Sequence, residues 1–126
     1  MKRLLLAMLL SASATTSYAD DYTLGKVDKV AMQHVIDKLK EDLVDPDSFV
    51  IRGKVTVFSE VGKGYTYYCF NYSAKNSYGG YAPASAHYAM VEPDLKYVLL
   101  TLNDTRAVGM CNMMFDSVAN GKGDTK

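Results

Sequence analysis

The sequence predicts an α+β domain: an N-terminal amphipathic helix packed on a meander of roughly four antiparallel strands, with a short C-terminal helix tied to the sheet by one disulfide. Three observations carry this prediction. Apolar residues recur with a helical period over residues 25–44, and the period shortens to two after Pro46. The chain holds two cysteines, Cys69 and Cys111, behind an N-terminal segment with the features of a secretory signal.

That segment comes first. Met1-Lys2-Arg3 is a positive start, Leu4 to Leu10 is an unbroken apolar run, and Ser17-Tyr18-Ala19 ends in the small residues of a cleavage site. Residues 1–19 are therefore expected to be a signal peptide removed before Asp20. The apolar run is far short of the roughly 20 residues of a spanning helix. No cysteine follows it to carry a lipid. Stable membrane insertion after cleavage is not expected, and the destination is the periplasm or the cell exterior. In an oxidising compartment Cys69 and Cys111 should join, closing a loop that contributes roughly 4 kcal/mol in the chain-entropy model. Two cysteines this far apart, with no C-x-x-C, have no zinc-site spacing.

The helix follows. Val27, Ala31, Val35, Leu39 and Leu43 form one stripe, widened by Val30, Met32 and Ile36. Thr23 is the expected N-cap, and Pro46 ends the segment because proline disfavours a helical residue before it. Between Phe49 and Phe58, Ile51, Val55 and Val57 alternate with Arg52, Lys54 and Thr56, giving the first strand. Gly62-Lys63-Gly64 is a turn, Tyr65 to Ala74 an aromatic second strand, and Ser85 to Val91 the third. Glu92-Pro93-Asp94 turns into the fourth, Leu95 to Leu102. Short connections between them imply antiparallel neighbours. Cys111, Met114, Phe115 and Val118 then have the spacing of a short helix. Gly109 disfavours it, and a fifth strand is the alternative. Residues 20–118 are expected to form one domain and residues 119–126 a flexible tail.

The second and fourth strands are apolar on both sides. Tyr65, Tyr67, Cys69 and Asn71 share one face of the second, and Tyr68, Phe70 and Tyr72 the other. Either the two helices take opposite faces of the sheet, or one aromatic face is left for a partner.

Composition narrows the function. The 126 residues are 48% apolar and 22% charged, with 14 basic and 14 acidic side chains, so the surplus of cations that a nucleic-acid binder needs is absent. Tyrosine is prominent, with ten and no tryptophan. The loop Lys75-Asn76-Ser77-Tyr78-Gly79-Gly80-Tyr81 is the first candidate binding site. Asn and Gly permit a left-handed backbone, and Tyr offers a flat ring and a hydroxyl at low entropy cost. The alternative is that Asn76 and the glycines only shape a turn while Tyr78 and Tyr81 cover the end of the sheet. A ladder of Tyr65, Tyr67, Tyr68, Phe70 and Tyr72 could stack on sugars or a partner protein, or be core with its hydroxyls reaching water.

Glu41, Asp42, Asp45 and Asp47 cluster near the helix end without the spacing of an EF-hand; Asp47 is expected to cap the turn through Ser48. Ser85 and His87 project from the same side of the third strand and could be a nucleophile and its base, but no G-x-S-x-G elbow accompanies them. His34 lies beside the apolar stripe. No H-E-x-x-H and no phosphate-binding glycine loop occurs, and no cofactor or metal is expected.

Asp45-Pro46-Asp47-Ser48 after a helix, followed by the block Cys69-x(5)-Lys75-Asn76-Ser77-Tyr78-Gly79-Gly80-Tyr81, resembles a group of small exported bacterial proteins, some of them lipoproteins. The resemblance covers roughly residues 35–90. It implies export and a shared fold, and nothing catalytic. This chain has Phe70 where a glycine often follows the cysteine, and it lacks the lipid-bearing cysteine.

The expected function is thus a small, non-enzymatic binding or interaction module of the periplasm or cell exterior. It would use the 75–81 loop against an unknown protein or cell-envelope ligand. The alternatives are a small cell-envelope hydrolase, or its inhibitor, built on Ser85 and His87, and a self-associating structural protein that pairs with a copy through an edge strand or a bare sheet face.

Overall fold

The computed structural model describes residues 21–94 and 97–123. The signal-peptide expectation for residues 1–19, the start of the fourth expected strand at Leu95, and the last three residues of the expected tail lie outside the described residues. The order of elements is β1 (Tyr22–Leu24), α1 (Lys29–Lys40), a 3-10 turn (Pro46–Ser48), β2 (Val50–Glu60), β3 (Thr66–Ser73), β4 (Ser85–Val91), β5 (Val98–Asn103) and α2 (Asp104–Gly123). The five strands form one antiparallel sheet in sequence order, so the fold is α+β with a simple meander.

The sheet has one strand more than expected. Tyr22–Leu24 pairs with Phe58–Glu60 of β2, and three residues are too few to show an alternating period. Thr23 therefore belongs to a strand and does not cap the helix. Asp28 caps it instead, its carboxylate accepting from the Ala31 N–H at 2.9 Å. The sheet also fixes the helix start: the Tyr68 hydroxyl accepts from the Asp28 N–H at 3.1 Å. The helix is shorter at both ends than the 25–44 expected, so Val27 lies before it; Val30, inside it, faces solvent and is not part of the buried stripe.

The two helices cover opposite faces. Ala31, Met32, Val35 and Leu39 of α1 pack on Val57, Tyr68, Phe70, Ala89 and Val91. Ala107, Cys111 and Met114 of α2 pack on Phe58, Tyr67, Cys69 and Tyr88. The result is a three-layer helix–sheet–helix sandwich, which explains why β3 is apolar on both sides. Cys69 of β3 and Cys111 of α2 are joined by a disulfide, their Cα atoms 6.1 Å apart.

The C-terminal element is a helix and a long one. It runs through Gly109 to Gly123, so residues 119–123 are helical where a tail was expected. It starts directly from β5, with Asp104 in a left-handed conformation at φ 55° that a short polar side chain tolerates. The Asp104 carboxylate in its first turn favours that end electrostatically. No helix among the described residues is long and apolar enough to cross a membrane.

Candidate functional site

The connection from β3 to β4 forms a protruding corner. Lys75 and Tyr81 bridge its base, and the Ala82 N–H donates to the Ala74 carbonyl at 3.0 Å. Inside, the Asn76 N–H donates to the Gly80 carbonyl at 2.8 Å and the Gly79 N–H to the Asn76 carbonyl at 3.0 Å. The Asn76 side-chain oxygen accepts from the N–H groups of Tyr78 (3.0 Å) and Gly80 (3.4 Å). Asn76 thus shapes the corner through its side chain and not through a left-handed backbone. Only Gly79 supplies that conformation, at φ 83°.

The Asp45–Ser48 turn holds the corner from below. The Ser48 hydroxyl, buried, donates to the Asp45 carbonyl and accepts from the Lys75 N–H, both at 2.7 Å. The two blocks that carry the sequence resemblance therefore touch in space. Asp47 was expected to cap this turn through Ser48; the Ser48 hydroxyl does that work, and no side chain caps the turn at its start.

All of Lys75, Asn76, Ser77, Tyr78, Gly79, Gly80 and Tyr81 are exposed. Tyr78 is 96% exposed, so it does not cover the end of the sheet. Tyr81 is 48% exposed, with the Arg52 guanidinium carbon 5.5 Å and the Lys75 ammonium 5.7 Å from its ring centroid. Both fall within cation–π range. Arg52 was not a candidate from sequence. It arrives through a bulge in β2, where the pairing slips between Arg52 and Thr56 and Gly53 sits at φ 81°. A glycine inside an alternating strand was the available signal.

The tyrosine ladder is not a surface. Tyr67, Tyr68 and Phe70 are buried, and Tyr65 and Tyr72 are half-buried against the two cores. The Tyr67 hydroxyl donates to the buried Glu60 carboxylate, whose other oxygen meets the Lys63 ammonium at 3.1 Å. Burial, then the bond to Glu60, pushes the Tyr67 phenol far above its usual range; burial pushes Tyr88 up to about 12.

Ser85 and His87 do share a side of β4, but the ring is committed elsewhere. His87 is 1% exposed, its Nδ1 is 2.6 Å from the Asn103 side-chain oxygen, and its Nε2 has no hydrogen-bond partner. The Asn103 oxygen can only accept, so Nδ1 carries the hydrogen. The Ser85 hydroxyl is thus bonded to neither ring nitrogen, and the contact a base makes with its nucleophile is missing. Burial lowers the His87 pKa, outweighing the Asn103 bond and the Asp42 charge.

Two small cavities flank these residues. One of about 180 Å³ lies between Asp42–Val44 and the base of the corner, with Tyr72 and Ser85 in its wall. The other, about 250 Å³, lies beside the disulfide between α2 and the sheet, with Lys54, Asn71 and Asn112 at its lining. Both fall below the roughly 300 Å³ at which drug-sized ligand sites begin. Among the described residues no group of three or more His, Cys, Asp or Glu side chains could hold a metal ion, and Glu41, Asp42, Asp45 and Asp47 form no such group. No protein-family model, curated protein or solved structure matches the chain.

Proposed function

We propose that this chain is a small exported binding module that recognises its partner with the 75–81 corner. One observation carries the reading: a nearly fully exposed tyrosine, Tyr78, stands on a loop whose backbone is fixed from within by Asn76 and from below by Ser48. Exposing a large ring gains the fold nothing, and fixing the loop beforehand lowers the ordering cost of binding. The disulfide agrees with an oxidising compartment, and the signal-like residues 1–19 support delivery there. The partner is a protein or a cell-envelope component, and no cofactor takes part.

The test is the pair Tyr78→Ala and Tyr81→Ala, with melting and pull-down from cell-envelope extract measured on the same preparations. The expected result is loss of the captured partner with stability changed by no more than about 0.5 kcal/mol, as for other surface substitutions. Unchanged capture, or a large loss of stability, overturns the reading.

A second reading, self-association, is favoured by β5. Val98–Asn103 is an edge strand of the described sheet with no charged residue and no proline, and Leu99 and Leu100 are exposed along it.

A further inference from the structure

We infer that the corner takes an anionic saccharide, with Arg52 and Lys75 holding its carboxylate, sulfate or phosphate groups and the rings of Tyr78 and Tyr81 lying on its sugar faces. The inference rests on the corner being the binding surface, and it names the class of ligand. Arg52 and Lys75 come from different parts of the chain, β2 and the β3–β4 connection, and converge on one tyrosine ring. Neither is ion-paired with a carboxylate among the described residues; Asp42 shares a cavity with Lys75, but no salt bridge joins them. Both cationic heads lie within 6 Å of one ring centroid, at 5.5 and 5.7 Å, so positive charge is concentrated at this corner and an anion bound there offsets it. The guanidinium and ammonium keep their N–H donors while they rest on the ring, because a cation–π contact uses charge and not a hydrogen bond.

The backbone of the corner favours a saccharide over a peptide. A peptide strand gains affinity from main-chain hydrogen bonds to a free edge. Here the N–H groups of Lys75, Asn76, Tyr78, Gly79, Gly80 and Ala82 are already donated within the protein. What the corner offers instead are ring faces and charged heads, which suit the flat C–H face and anionic substituent of a sugar. The chain as a whole has no excess charge, so the attraction is local to this corner and not a property of the whole surface.

The experiment titrates the full exported chain with three polymers: alginate for carboxylate, dextran sulfate for sulfate, and neutral dextran. Binding of at least one anionic polymer but not of dextran is expected, with affinity falling as salt is raised. R52A/K75A should weaken it about tenfold or more, the loss of charge-assisted contacts. K29A/K38A, which removes two cations from α1 on a different layer, should leave it unchanged. Equal binding of dextran, an unaffected R52A/K75A, or an equal loss in K29A/K38A overturns the inference. The same variants are carried through the envelope pull-down. Capture lost in Tyr78→Ala but kept in R52A/K75A leaves the corner as a binding surface and removes only the anionic saccharide; capture kept in both removes the corner as well.

Discussion

His87 makes the stability of this protein depend on pH in a definite direction. Its ring is buried against Phe70 and Tyr72, with centroids 5.3 and 6.0 Å away, and burial lowers its pKa from 6.5. The unfolded chain therefore binds a proton more readily than the folded one. The stability that the neutral ring contributes is complete above about pH 6.5 and is lost as the pH falls below that value toward the lowered pKa. Denaturant titrations between pH 7 and pH 5 should show a falling midpoint, and His87→Phe should flatten that fall. A His87→Phe variant with the same slope would assign the effect elsewhere. Residues of this kind divide into two groups by how local their cause is. Gly79 and Asn76 were legible as turn-formers because a turn is made by its own residues. The place of Arg52 beside Tyr81 was not, because it depends on a bulge and a pairing partner distant in sequence.

At the scale of elements, the disulfide cross-links the sheet to the helix that covers one of its faces. Cys69 lies in the central strand and Cys111 in the covering helix, both buried. Cys69→Ala with Cys111→Ala should lower stability by about 2–5 kcal/mol, read by chemical denaturation under non-reducing conditions. A loss below about 1 kcal/mol would mean that the apolar contacts of Met114 and Ala107 hold α2 almost alone. The elements themselves followed from period and punctuation: Ser85–Val91 matches residue for residue, and β2 and β3 match to within two residues at each end. The helix start did not follow, since Thr23 and Asp28 are both good caps and only the pairing of β1 with β2 decides between them. The length of α2 was also hidden. Gly109 and the polar residues after Val118 lower its local preference for a helix, and packing on the sheet through Cys111 and Met114 overrides it.

At the scale of the whole molecule, the three layers account for both sheet faces, so what the sheet itself offers to other molecules is its edges and connections. The sheet edges differ. β1 is three residues long, whereas β5 is six residues long and apolar in part. Two copies pairing β5 against β5 about a two-fold axis would form one continuous sheet. Sedimentation over a wide concentration range should show the wild-type mass rising above that of a monomer, and Leu100→Lys should hold it at the monomer by placing a charge at the junction. A wild-type mass that never rises removes self-association. The opposed placement of the helices was legible only as one of two choices, because two-sided apolar strands require two covers without saying whether the second comes from the same chain.

The sulfur link also makes a closed covalent circuit of residues 69–111, and the exposed 75–81 corner lies on that circuit. A protease reaching the corner would cut one strand of the ring without freeing either piece. The nicked protein would stay one covalent species, heavier by the water of hydrolysis, until a reductant separated its two pieces, and the displayed surface could be opened while the scaffold stayed whole.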